Sequence, residues 1–183
     1  MKKTAIVAAL AASLMASAAQ AGSIKVEAEN QLDRGDRNTV KIEAWEGIGN
    51  IGAGIEAKTY LAEGGQGAFT DLVGKVGYAM PEFAGFVPVV KAELGVTTGA
   101  ANNEFWGISG ELQRKVTDKV TVGVGYRYRD SFKDGVTANE AKRAHASASY
   151  EFSKNYSLGA TYYNYALTGK NIDSVAVALT KKF

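Results

Sequence analysis

The sequence predicts an all-β protein: a closed antiparallel transmembrane β-barrel of about ten strands, with twelve or eight left open. Three observations predict it. From Ser23 onward apolar and polar residues alternate with period two; the alternation comes in blocks of about ten residues; and clusters of Gly, Asn, Asp and Lys separate the blocks. A tilted strand of roughly 9–11 residues is what crosses the hydrocarbon layer of a bilayer.

The N-terminal segment stands outside this pattern. Lys2 and Lys3, an apolar run from Ala5 to Leu14 and the closing Ala19-Gln20-Ala21 have the layout of a cleaved secretory signal peptide. The run is shorter than the roughly twenty residues of a permanent helical span, so the expected boundaries are a signal over 1–21 and a single barrel domain over 22–183.

The blocks place strands near Ser23–Leu32, Thr39–Gly49, Ile51–Ala62, Thr70–Met80, Phe86–Thr97, Glu104–Val116, Val120–Asp130, Arg143–Phe152, Tyr156–Leu167 and Ile172–Phe183. The last block shows the alternation plainly, with Val175, Val177, Leu179 and Phe183 on one face and Ser174, Ala176, Ala178, Thr180 and Lys182 on the other. Between Val120 and Asp130, Val120, Val122, Val124, Tyr126 and Tyr128 likewise oppose Thr121, Gly123, Gly125, Arg127 and Arg129.

Connections after the second, sixth and eighth strands are tight, and those after the odd-numbered strands are expected to be longer, the longest being 131–142. Only the stretch from Pro81 to Gly85 blurs this alternation. Short periplasmic turns, longer outer loops and an even strand count are the arrangement of a bacterial outer-membrane barrel. Aromatic residues such as Tyr78, Trp106, Tyr150 and Phe152 fall at block ends, where interfacial girdles lie. Phe183, on the lipid-facing register, resembles the C-terminal signature of outer-membrane proteins; Lys181 stands where that signature has an apolar residue, and its stem can snorkel to the headgroups.

Composition narrows the partners. Without Lys2 and Lys3 the chain holds equal numbers of basic and acidic residues, whereas a nucleic-acid binder favours a basic excess. There is no cysteine, so closure by hydrogen bonds must replace disulfides. No later apolar stretch is long enough for a helical span. The expected partners are the lipid bilayer and small anionic solutes, with the barrel as a monomer.

The polar register should line the lumen, where acids and bases interleave. A ten-stranded barrel lies near the size that side chains can fill, so a plug of Lys and Glu pairs is one reading. Small inward residues, among them Gly52, Gly77, Gly95, Gly123 and Gly159, support another, a water-filled passage. Arg127, Arg129 and Arg143 should gather near the outer mouth beside His145, with Lys41 and Lys58 also in the upper half. A basic ring at a constriction would favour anions.

The run Gly47-Ile48-Gly49-Asn50-Ile51-Gly52-Ala53-Gly54-Ile55-Glu56-Ala57-Lys58, and the stretch Lys115-Val116-Thr117-Asp118-Lys119 leading into Gly125-Tyr126-Arg127-Tyr128-Arg129-Asp130, resemble the oligogalacturonate-specific porins. The resemblance implies a monomeric outer-membrane channel passing acidic sugar oligomers, with Arg127, Arg129 and Lys58 in selectivity roles. Members of that family have twelve strands and a more one-sidedly basic lumen than the present sequence predicts.

Other function classes find little support. The single histidine, His145, falls on the inward register beside Ser147, a spacing that does not suggest a nucleophile and its base, so an enzyme is not expected. No cluster has metal-ligand spacing, and no glycine run opens a helix to cradle a phosphate; no cofactor is expected. Arg34-Gly35-Asp36 in the first outer loop is the feature an adhesion barrel would use, although these residue types also form hairpin tips.

Overall fold

A computed structural model describes residues 22–32, 38–61, 67–99, 102–167 and 170–183. The segment expected to be a signal and the tripeptide Arg34-Gly35-Asp36 lie outside them. The described residues form ten strands: β1 (Ser23–Gln31), β2 (Asn38–Ile48), β3 (Ile51–Tyr60), β4 (Phe69–Ala79), β5 (Val87–Gly99), β6 (Asn103–Lys115), β7 (Val120–Ser131), β8 (Lys142–Ser153), β9 (Tyr156–Leu167) and β10 (Lys170–Lys182).

Each strand pairs antiparallel with its sequence neighbour, and β1 pairs with β10, from Ser23 opposite Lys182 to Gln31 opposite Ser174, closing the barrel. The register runs unbroken except at one irregularity between β8 and β9, at Glu151/Ser153. Because both backbone edges of every strand are used, no row of N–H and C=O groups faces lipid.

The faces are inverted relative to a water-soluble protein. On β10, Ser174, Ala176 and Ala178 are buried, while Val175, Val177 and Leu179 are exposed. On β1, Glu27, Glu29 and Gln31 are buried and Val26 is exposed. Large apolar side chains on the outside and charges within are what a hydrocarbon solvent selects. The outer wall carries aromatic groups at both ends: the Trp106 and Tyr128 rings meet edge to face with centroids 5.8 Å apart, and Phe152 stacks on Tyr156 at 6.1 Å. A closed barrel with this apolar belt and these girdles belongs in the bacterial outer membrane.

Connection lengths depart from the expected alternation. At the end opposite the termini, 100–102 and 168–169 are as short as turns, and only 32–37, 61–68 and 132–141 are long. At the terminus end the β4–β5 connection is extended, because Phe83 and Phe86 form an isolated antiparallel bridge. Its two central residues, Ala84 (φ 52°) and Gly85 (φ 79°), both have positive φ, as the tight turn of a two-residue hairpin requires.

Several inward glycines do not leave the space expected of them. The Trp45 indole lies against the wall over Gly52, Gly54 and Gly77, and the Phe105 ring covers Gly95. Arg129 and Glu93 pack over Gly107, and His145 over Gly125. A Cβ at Gly54 would overlap the indole and stand 2.8 Å from the Ala44 carbonyl oxygen, whereas Gly110, on the lipid face, has nothing within 4 Å. Gly54→Val should therefore cost about 1–3 kcal/mol through overpacking, and Gly110→Ala should be near neutral; urea titration of the folded barrel in lipid vesicles measures both.

Candidate functional site

The closed wall brings the five predicted selectivity residues into one region, the half of the lumen away from the termini. Lys41, Lys58, Arg127 and Arg129 are all buried, at 5, 1, 2 and 1 % exposure, and the Arg143 side chain is 11 % exposed. They do not form an unopposed basic mouth. Each faces a carboxylate: Lys41 Nζ lies 2.6 Å from Glu27, Lys58 Nζ 2.8 Å from Glu29, and Arg129 pairs with Glu93 and reaches Asp71 at 3.4 Å and Glu56 at 3.7 Å. Strand register accounts for part of the interleaving, with Lys41 opposite Glu27, Lys58 opposite Asp71 and Lys75 opposite Glu93, whereas Lys41 opposite Lys58 and Arg127 opposite Arg143 must reach acids elsewhere in the lumen.

One acid comes from outside the wall. The 132–141 connection folds into the mouth, burying Ala138 against Phe105 and Val73, while Asn139 Nδ2 donates to Asp71 and Thr97 over 3.5 and 3.4 Å. The next residue, Glu140, is 3 % exposed and accepts from Lys58 Nζ at 2.6 Å, Arg127 Nη2 at 2.8 Å and Arg143 Nη1 at 3.4 Å. Burial by itself would raise its carboxyl; Lys58, Arg127 and Arg143 more than offset that and hold it well below the usual carboxylate range. Glu140 has φ 51°, a left-handed conformation that costs an L-residue roughly 1–2 kcal/mol, so its contacts hold it there.

Aromatic hydroxyls complete the layer. Tyr163 donates to Glu27 at 2.9 Å, Tyr165 to Glu29, and Ser174 Oγ to Glu29 at 2.6 Å. Arg143 lies with its guanidinium carbon 4.6 Å from the Tyr163 ring centroid, and Arg129 4.7 Å from that of Phe105. Arg129, Tyr165, Lys58, Phe105 and Asp71 are among the most deeply buried side chains of the molecule, so this layer closes the bore to water.

Toward the terminus end the lumen opens. A cavity of about 440 Å³ is lined by Gln113, Gly123, Ser147, Ser149 and Gly159, where small inward residues do leave room. Another of about 400 Å³ lies over Trp45, Lys25 and Asn50. A smaller one of about 120 Å³ reaches up to Arg127, Arg143 and Glu93, at the underside of the closed layer. A larger concavity, about 850 Å³, is an apolar groove on the lipid-facing wall around Val76, Ile108 and Tyr126, away from these charges.

Ser147 donates to the Gly123 carbonyl oxygen at 3.5 Å, and His145 Nε2 faces Glu111 at 3.9 Å, so the pair is not arranged as nucleophile and base. Among the described residues no group of three or more His, Asp or Glu side chains could hold a metal ion.

These features define a small, closed outer-membrane β-barrel with a polar, ion-paired lumen. No protein-family model and no curated protein matches the chain by sequence. Among solved structures it is similar to the NanC porin (TM-score 0.61, 9 % identity, 87 % of this chain and all of that one). It is also similar to the COG4313 outer membrane channel from Pseudomonas putida F1 (TM-score 0.55, 7 % identity, 89 % of this chain and 96 % of that one). A third is the KdgM porin in complex with disordered oligogalacturonate (TM-score 0.53, 15 % identity, 88 % of this chain and 99 % of that one). The likeness is one of fold.

Arg129 is the hub of the buried layer, meeting Glu93, Asp71 and Glu56 at once. Its removal takes the nearest cation from the buried Glu93 and Asp71, while Glu56 keeps Lys75 at 2.5 Å; breaking such a buried pair typically costs about 3–5 kcal/mol. Arg129→Gln should thus lower the urea midpoint far more than Arg114→Gln, whose side chain lies on the outer wall against Phe86.

Proposed function

We propose that this chain is a porin-like outer-membrane channel for small solutes, with small anions such as acidic oligosaccharides as its preferred class. In the conformation described, the 132–141 strap closes its outer mouth. One observation carries the reading: the polar bore extends from the terminus end to a single closed layer, and an acid of that layer, Glu140, sits on a loop and not on the wall. Moving the loop would leave Lys58, Arg127 and Arg143 with fewer acids, and a charged constriction favours ions of the opposite sign. The resemblance of the glycine-rich hairpin and of the Arg127/Arg129 strand to the oligogalacturonate-specific porins supports the same class. So does the fold shared with the NanC and KdgM porins. It is proposed to act as a single chain, as the resemblance to the oligogalacturonate-specific porins implies.

A second reading, a structural or adhesion-type barrel with a permanently plugged lumen, is favoured by the burial of Arg129, Lys58 and Asp71 in the closed layer. Planar-bilayer recording separates the two. The wild-type barrel should show low, anion-preferring conductance, and Glu140→Gln should raise both conductance and anion preference. Combining it with Arg127→Gln and Arg143→Gln should remove the preference. Silence from wild type and Glu140→Gln alike would establish the plug.

A further inference from the structure

Glu140 occupies a site that the wall builds without it. Lys58 on β3, Arg127 on β7 and Arg143 on β8 converge on its carboxylate. Their other acids are fewer or farther: Lys58 also meets Glu29 at 2.8 Å, and the Glu93 oxygen nearest Arg127 is 3.9 Å away. Arg127, 2 % exposed, retains Nε and Nη1 without a hydrogen-bond partner, and Arg143 Nε is likewise buried and unpaired. The three cations therefore present more donors than Glu140 accepts from, in a buried place where a donor without a partner is costly. The backbone points the same way. The residue that fills the site does so from a loop, in a left-handed conformation that glycine or asparagine would adopt more readily.

We propose that Lys58, Arg127 and Arg143 form a carboxylate-binding site at the outer mouth, with Glu140 as its tethered occupant, so that the carboxylate of an entering solute competes with Glu140 and releases the strap. As a step in transport this rests on the channel reading; as a binding site it stands on the three cations alone. The chemistry is that of charge-assisted hydrogen bonds from guanidinium and ammonium groups to a planar carboxylate, which chloride cannot reproduce.

Glu140→Gly tests it, because glycine adopts the left-handed backbone without penalty and leaves the cations open. Sodium acetate is titrated by calorimetry into the full barrel in detergent, at ionic strength held constant with sodium chloride. The variant should bind acetate saturably and about tenfold more tightly than wild type, a difference of about 1.4 kcal/mol, and adding Lys58→Met should abolish the gain. Equal acetate heats in wild type and variant, or a gain that survives Lys58→Met, would overturn the proposal. If the glycine variant does not fold, Glu140→Asn, uncharged, one methylene shorter and tolerant of the same backbone, is titrated with the same expectations. Acetate binding by a barrel that conducts nothing would retire the channel and keep the site; conduction without any gain in acetate binding would do the reverse.

Discussion

Everything in this molecule depends on a backbone that finds no hydrogen-bonding partner in lipid. The only remedy open to strands is to pair on both edges, and the β1–β10 seam completes that circuit. Once closed, the wall has two solvents, hydrocarbon outside and an enclosed bore within. Every side chain is assigned to one of them by its parity along the strand. Val177 meets lipid and Ser174 the bore for no other reason than that their positions differ by an odd number.

Parity also brings charges into the interior, and there they must find one another. A buried charge without a counterpart is costly, and pairing offsets the loss of water only when hydrogen bonds accompany it. The upper lumen meets most of this condition through shared acids, Glu29 accepting from Lys58, Tyr165 and Ser174 at once and Glu140 from three cations, with Arg127 Nε and Nη1 and Arg143 Nε left over. The result is a layer in which no cation stands as an unopposed selector, which is why the basic mouth expected from counting inward Arg and Lys is electrostatically balanced.

The fold was largely legible in the sequence and the site only partly so. Strand boundaries such as Val120 and Tyr156 were readable because two solvents enforce a strict alternation, and the inward charges followed from it. Loop lengths were less readable: the Phe83–Phe86 bridge adds length at the terminus end, and β9 and β10 run on until only 168–169 separate them. Trp45, Tyr163 and Tyr165 fall on the inward register, yet their part in filling the lumen shows only in three dimensions, where Trp45 covers the glycines of neighbouring strands and Tyr163 stacks on Tyr165. Glu140 had no signal at all. It belongs to a connection where alternation stops, and its role depends on a strap folding back across the mouth to residues as distant in sequence as Lys58.

The pairing of the first strand with the last bears on how the barrel can be made. Ser23 lies opposite Lys182, and the Phe183 amide donates to the Gly22 carbonyl oxygen, so the seam joins residues separated by nearly the entire chain. Such remote contacts carry a high loop-closure cost and form slowly. A partly synthesised chain could pair its leading strand with β2 but would leave the other edge, the one that meets β10, open and sticky for as long as it waited. Assembly must therefore be withheld until the final strand has arrived, and any agent escorting the polypeptide to the bilayer has that interval to guard.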